Sequence, residues 1–327
     1  MSTVEPLKAM APAGRPVRAY FAPVNRSTGT PTIFDPAVNG RFALDAPPTP
    51  WVDLGSVTGF ERASGTRIEP LLAGSPNVAR AQVRETLAAT VKLEFLSWGK
   101  LQMALSTGSQ HMNLPVTAGS TPIDGAGGTG AAAVAVMTGS TATSVTVGSG
   151  QVGSFTVGQM IAVDVDYTAG ATGFVGSGVS AAYVSATAAT AIGTDTNYVR
   201  RVTLNTGRIM AITTDSLILA EPLLAGVPTT AMSVLTICGF VDREGGSFFQ
   251  EWSALFVMDG EQGDRVIFYY PRLQAMLGAA EVQSVWTKPL SRWSLAGAFR
   301  ALSVSDAMDG ENVLCFRTYL PAATSLI

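Results

Sequence analysis

One stretch of the chain, Ser253 to Tyr270, constrains the fold more than any other. Two runs of β-branched and aromatic residues flank the polar loop 259–264, which contains two glycines, and this pattern predicts a β-hairpin. A strand with one solvated face alternates apolar with polar residues. Both of these strands are apolar on both faces, so a second layer or a neighbouring subunit must cover each face.

The low charge of the whole chain supports burial in an assembly. Hydrophobic residues make up 47% of the sequence and charged residues only 14%, against about 25% charged in ordinary soluble domains. A monomer of this composition would expose much apolar surface, unless weakly polar Gly, Ala and Thr cover it. The net charge is −3 and no basic tract is visible, so nucleic-acid binding is not indicated. No apolar run approaches the roughly 20 residues of a membrane helix, so we expect no membrane insertion.

The first 50 residues are rich in proline and predict an extended N-terminal arm. Apolar pairs interrupt this segment at Tyr20-Phe21 and Ile33-Phe34, whereas a disordered tail carries few aromatic residues. We expect residues 1–50 to become ordered only in an assembly, with these pairs docked on a neighbouring subunit.

Residues 51–113 and 236–327 have the composition of a folded β core. Residues 51–55 open it, and a long polar stretch with several glycines follows over 59–84. The clearest strand is Thr86 to Phe95, because its odd-numbered positions from 87 to 95 are all apolar. A short helix follows over 97–105, with Ser97 as its cap and Gly108 as its end.

The segment between these two parts differs from both. Residues 114–235 contain no tryptophan, no lysine and only three arginines, and Gly, Ala, Thr, Ser and Val dominate. The segment predicts an inserted small β-domain. Its predicted strands are Ser144–Val147, Met160–Asp166, Val199–Leu204 and Ser216–Leu219.

Catalytic and metal-binding patterns are weak throughout. His111 is the only histidine, so any Ser-His-Asp or Cys-His construction would have to use it. Zinc sites need several Cys and His residues at set spacing. We therefore predict no enzyme, no metal and no cofactor, and we interpret the acidic groups 259–264 and 306–311 as turns. A hydrolase built on Asp164 and Asp166 is the weakest alternative.

Two cysteines, Cys238 and Cys315, stand in separate apolar runs. We interpret them as buried free thiols, although a disulfide between them stays open at this stage.

The order of these features resembles the tail tube proteins (major tail proteins) of tailed bacteriophages. The resemblance covers residues 51–113 and 240–327: the 51–55 opening, the long glycine-containing stretch, the strand TLAATVKLEF running into SWGKLQMALSTG, and a closing block of β-hairpins. It implies a mainly β fold, a tail-tube-like β-sandwich or barrel with a flanking short α-helix, here with an inserted β-domain and an N-terminal arm. It also implies a virion tail protein made in the cytoplasm of the host bacterium.

The resemblance further implies self-assembly into hexameric rings, which stack through a long loop and an arm into a tube. Tape-measure and tail-terminator-type proteins would be partners, and DNA would pass without specific binding. Assembly contacts are expected at Phe256, Ile267, Phe268, Tyr270, Tyr20, Phe21, Ile33 and Phe34, and acidic lumen residues at Asp53, Glu61 and Glu94. The hairpin of residues 253–270 would then pair between subunits, so Ile267→Pro would block ring closure more than it unfolds the monomer.

One alternative comes from a different class of function. A carbohydrate- or receptor-binding β module of a tail tip or surface adhesin would use the Gly/Thr-rich insert with Tyr167, Tyr183 and Tyr198.

Overall fold

The computed structural model describes residues 15–25, 28–114, 132–165, 203–236, 239–245, 251–261, 263–276, 280–287 and 290–322. The predicted mainly β fold is confirmed, because these residues form large antiparallel sheets with few helices. The two α-helices are α1 (Pro36–Asn39) and α2 (Lys100–Thr107). Neither of these described helices, nor any other in the described ranges, is long and apolar enough to cross a membrane.

The strands in chain order are β1 (Arg18–Pro23), β2 (Val52–Ala73), β3 (Val78–Phe95), β4 (Gln110–Leu114), β5 (Val134–Ala135), β6 (Ser144–Thr146), β7 (Met160–Asp164), β8 (Thr206–Ile212), β9 (Ser216–Leu219), β10 (Ser233–Leu235), β11 (Gly239–Arg243), β12 (Glu251–Asp259), β13 (Arg265–Ala275), β14 (Ala280–Thr287), β15 (Leu290–Ala301), β16 (Val304–Ser305), β17 (Asn312–Val313) and β18 (Phe316–Leu320).

Eight strands form the main sheet, in the order β14-β15-β3-β2-β1-β12-β13-β18. The sheet curls far enough for β15 to pair with β13 as well, with Leu273 opposite Ala301. Its concave side encloses the larger core, to which α2 contributes Leu101 and Leu105. The curl therefore places β14 and β18 outside the cycle of paired strands, as the two edges of the sheet.

The predicted hairpin of residues 253–270 is confirmed as β12 and β13. Phe256 lies opposite Phe268, and Val257 lies opposite Ile267. Both faces are covered, as their apolar pattern requires, and both covers belong to the same chain. Phe256 and Tyr270 pack in the concave core, while Val257 and Ile267 pack in a second cluster on the convex side.

The prediction that the arm becomes ordered only by docking on a neighbouring subunit is wrong for the part of residues 1–50 that the structure describes. Arg18–Pro23 forms β1, which lies between β2 and β12 inside the main sheet. Phe34 and Trp51 then cover the convex face, and the Tyr20 hydroxyl donates to the Leu44 carbonyl over 2.7 Å. The aromatic anchors are buried in their own chain because β1 completes the main sheet between two distant strands.

The helix after β3 begins later than its sequence predicts. Gly99 occupies the N-cap without a side-chain bond, whereas the Ser97 hydroxyl donates to the Leu54 carbonyl at 3.0 Å. Ser97 is therefore not the cap, because its hydroxyl ties the strand end to β2 instead. The predicted end is confirmed, since Gly108 closes α2 with a left-handed φ of 67°.

The resemblance implies a long stacking loop over 59–84, and this expectation of a loop is wrong as well. These residues continue β2 and β3 as a paired ribbon that turns at Gly74, so β3 begins at Val78 rather than Thr86. The buried face of β3 is confirmed from Ala89 to Phe95, but Leu87 is exposed because it lies on the ribbon beyond the core.

Six strands form a second sheet, in the order β5-β10-β7-β8-β9-β6, around an apolar cluster of their own. The predicted strand over 216–219 matches β9, and those at 144 and 160 match β6 and β7 with slightly earlier ends. The strand predicted over 199–204 falls largely outside the described residues, and the next strand, β8, begins at Thr206.

Candidate assembly surfaces

The most exposed part of the main sheet is the ribbon formed by residues 63–88 of β2 and β3, called here the projecting hairpin. Its strands stay paired from Ala63 opposite Thr90 to Ala73 opposite Val78. Large apolar side chains are exposed along it: Ile68, Leu71, Leu72, Val78, Val83 and Leu87. An isolated two-stranded ribbon is marginally stable in water at best. This one therefore presents an uncovered apolar surface.

A single arginine contacts both carboxylates of the projecting hairpin, one of them across the ribbon. The Arg67 guanidinium contacts the Glu69 carboxylate at 3.0 Å on its own strand and the Glu85 carboxylate at 2.7 Å on the other. Both acids of the ribbon thus share one arginine. No described carboxylate pairs with Arg80 or Arg84, which are exposed on β3.

The edges of the main sheet form a second candidate surface. Within the described residues β14 pairs only with β15, and β18 pairs only with β13. Val282 and Trp293 are half exposed at one edge, and Phe316 and Tyr319 are exposed at the other. Unpaired backbone groups beside apolar side chains invite another strand.

The structure places the four assembly residues predicted on β12 and β13 inside the chain, with Phe256, Phe268 and Tyr270 on the concave side and Ile267 on the convex side. The Phe256 ring lies 6.0 Å from Tyr270 across the concave core. The Arg62 guanidinium lies 5.5 Å above the Phe268 ring and donates through Nε to the Tyr270 hydroxyl at 3.1 Å. Burial raises the pKa of Tyr270, and the bond from Arg62 opposes that rise.

The expectation that this hairpin carries an intersubunit sheet is therefore wrong. β12 is flanked by β1 and β13, and β13 by β12 and β18, so the edges of both strands pair within the chain. Ile267 itself lies opposite both Val257 and Thr318. The free edges belong to β14 and β18 instead.

Of the four assembly residues predicted in the arm, only Ile33 is available to a neighbour. Tyr20, Phe21 and Phe34 are buried in the two cores of the main sheet, whereas Ile33 is 77% exposed.

Ile33 lines an open pocket of about 580 Å³ on the convex side of the sheet, called here the outer pocket. Its walls include Pro31, Tyr269, Pro271, Phe316 and Asp306. The Tyr269 and Phe316 rings stack with their centroids 5.8 Å apart. The pocket is therefore an apolar depression between the arm, β13 and the edge strand β18.

An acidic turn, residues 306–311, lies beside the outer pocket. The Asp306 carboxylate accepts from the Met308 amide at 2.9 Å, and the Asp309 carboxylate accepts from the Glu311 amide at 3.0 Å. These bonds confirm the interpretation of the segment as a turn. Asp306, Asp309 and Glu311 make no ion pair with any described cation, so the turn is a patch of negative charge.

The three predicted lumen carboxylates all lie on the convex face of the sheet. Asp53 is opposite Tyr20, forms an ion pair with Arg18, and accepts from the Gly55 amide at 2.8 Å. Its charge is thus neutralised locally. Glu61 lies opposite Lys92, two residues from Glu94 on the same strand face. Their orientation toward a lumen stays a prediction, since it depends on the assembly.

Catalytic geometry is not visible in the described residues. They contain no group of three or more side chains that could hold a metal ion. Asp164 is buried and accepts from the Val165 amide at 2.7 Å. Burial raises the pKa of the Cys315 thiol, which makes it a poor nucleophile. Outside the described residues lie Asp166, Tyr167, Tyr183, Tyr198, Cys238 and the side chain of His111.

Comparison with known proteins finds neither a family model nor a curated protein that matches this sequence. The arrangement of exposed strands and apolar surfaces is therefore the main guide to function.

Proposed function

We propose that this protein is a structural subunit that assembles with its own copies into stacked rings, forming the tail tube through which a phage ejects DNA. The observation that carries the proposal is the projecting hairpin, with apolar side chains exposed along both strands. An exposed apolar surface of this kind marks an interaction site. A second copy of the chain is a suitable partner for this surface, because other copies are present whenever the protein accumulates.

Ring closure would use the two free edges. Pairing β14 of one copy with β18 of the next is a heterologous contact, which closes into a ring if the rotation between copies is suitable. Such pairing extends the curled sheet from subunit to subunit and removes both edges. Six copies in the ring, and tape-measure and terminator partners, follow from the resemblance to tail tube proteins.

Passage of DNA without binding is supported by charge. The chain carries 24 acidic and 21 basic residues, and phosphate-binding surfaces need clustered basic side chains. Glu61 and Glu94 are candidates for a repulsive lining, while Asp53 is a weaker one because Arg18 pairs with it.

Electron microscopy and sedimentation of the purified full chain over a range of concentrations test the proposal. We expect rings or tubes of constant diameter. Monomers or discrete trimers at every concentration would contradict it and favour the receptor-binding alternative, which rests on tyrosines outside the described residues.

A matched pair of variants locates the ring contact. Val282→Lys adds a charge at the β14 edge, where the side chain is 51% exposed, and Met210→Lys adds the same charge on the second sheet, where it is 59% exposed. Only Val282→Lys should abolish rings, because charge on an edge strand opposes strand addition. Equal effects of the two variants would exclude the β14 edge as the contact.

A further inference from the structure

We infer that the outer pocket of one subunit receives the projecting hairpin of the next, with Arg80 and Arg84 set against the acidic turn 306–311. The inference rests on the proposed function and names the two surfaces that join successive rings. The occupant of the pocket is thus a second copy of this chain.

The two surfaces lie toward opposite ends of the sheet. β2 leaves the sheet beyond the point where Arg18 pairs with Ser56, at the end that also holds the turn between β12 and β13. The outer pocket lies beside Tyr269 and Pro271, further along β13 from that turn, and Asp306 of the acidic turn is one of the residues that line it. Copies in the same orientation along one axis would therefore bring hairpin and pocket together.

The apolar character of the two surfaces matches. The outer segment of the hairpin exposes Leu71, Leu72 and Val78, and the pocket offers Ile33 and the stacked rings of Tyr269 and Phe316. A pocket of about 580 Å³ is within the range that holds compact apolar groups. Burial of these groups against one another removes both from water.

Charge selects the pairing and its orientation. Arg67 satisfies both acids of the ribbon, which leaves Arg80 and Arg84 as unpaired positive charges within the described hairpin. The acidic turn supplies Asp306, Asp309 and Glu311, which form no ion pair with a described cation and outnumber Arg317, the one arginine that lines the same pocket. Complementary patches of this kind direct association and discriminate between binding modes.

Charge reversal with rescue tests the contact. Arg80→Glu/Arg84→Glu and, separately, Asp306→Lys/Asp309→Lys should each raise the protein concentration needed for tube formation at least tenfold. Combining all four changes should restore most of the loss. Arg208→Glu, at an exposed arginine of the second sheet, should leave the threshold unchanged. Wild-type thresholds for both reversed pairs would overturn the inference while tubes, and hence the proposed function, remain.

A cross-link provides a readout that does not depend on tubes. Leu72→Cys and Ala307→Cys are made separately in chains whose Cys238 and Cys315 are changed to serine, then mixed and oxidised with copper phenanthroline. A disulfide dimer should form in the mixture and not in either variant alone. No dimer at concentrations where wild-type protein polymerises would overturn the inference. A disulfide within one chain carrying both changes, in monomeric protein, would also overturn it.

Discussion

The two hairpins β12–β13 and β2–β3 are built alike and lie in opposite surroundings. Every residue from Trp252 to Val257 on β12 is buried, whereas every residue from Ala63 to Ala88, apart from a partly buried Ala73, is exposed on the other hairpin. Both contain many apolar residues. The comparison shows that apolar strands are covered only where neighbouring strands accompany them, because residues 63–88 extend beyond the paired parts of β1 and β15.

Substitution by proline should give the largest difference between the two hairpins. Ile267→Pro should prevent folding of the monomer, because Ile267 is fully buried and its strand is paired on both sides. Val83→Pro should leave a folded monomer, since the projecting hairpin already contains Pro70 opposite Gln82. Circular dichroism and sedimentation measure both. A folded Ile267→Pro monomer that only fails to polymerise would return β13 to the role of intersubunit strand.

Side-chain truncation should give a smaller but measurable contrast. Phe256→Ala should lower the free energy of unfolding by about 3–5 kcal/mol, because Phe256 is completely buried in the concave core. Leu72→Ala should change it by less than about 0.5 kcal/mol in the monomer, since this side chain is exposed. Urea denaturation compares the two, and similar losses would refute the assignment of internal and external covers.

Alkaline pH should act through buried tyrosines on β1 and β13. Burial raises the pKa of Tyr20, Tyr269 and Tyr270 above their ordinary value of 10.0. The unfolded chain therefore releases these protons first, so the free energy of unfolding should fall as pH rises above about 10. Tyr269→Phe should make that fall less steep. Urea denaturation at a series of alkaline pH values measures it, and an unchanged slope would argue against a buried phenol at 269.

Removing the projecting hairpin should have the smallest effect on stability and a complete effect on assembly. Replacing residues 67–86 with Asn-Gly joins Thr66 to Leu87, which are already opposite each other, through a favoured two-residue turn. The free energy of unfolding should change by about 0.5 kcal/mol or less. Thermal denaturation and electron microscopy measure the two effects. Normal tubes from this variant would show that the hairpin is not the stacking element.

Local sequence predicted what local physics determines. Two runs of β-branched and aromatic residues around a glycine-containing loop identified β12 and β13, and alternation of apolar residues identified the buried face from Ala89 to Phe95. Gly108 marked the end of α2 because a left-handed residue there favours glycine. In each case the deciding interaction lies within a few residues of the pattern.

The predictions failed where pairing with a strand far away in sequence determines the structure. Tyr20 and Phe21 belong to a central strand because β12 lies opposite them, more than 230 positions away in sequence, and no local pattern reports that partner. Glycines and charges interrupt the apolar pattern of the projecting hairpin, so its strand pairing was not predicted. Its charges held a usable signal, since Arg67 on one strand is matched by Glu85 on the other. The assembly residues were predicted wrongly because an apolar pattern on both faces does not reveal whether the same chain or another subunit covers them.

The position of β1 has a consequence for how the chain folds during synthesis. β1 can pair with β2 early, but its other partner, β12, leaves the ribosome only after the whole second sheet has been made. Pairings between distant segments form slowly, because the intervening loop must first be closed. We therefore expect the second sheet, whose apolar cluster is assembled from its own strands, to mature while β1 still has an open side. Completion of the main sheet would then be the last step, since β12 to β15 and β18 all leave the ribosome after the second sheet.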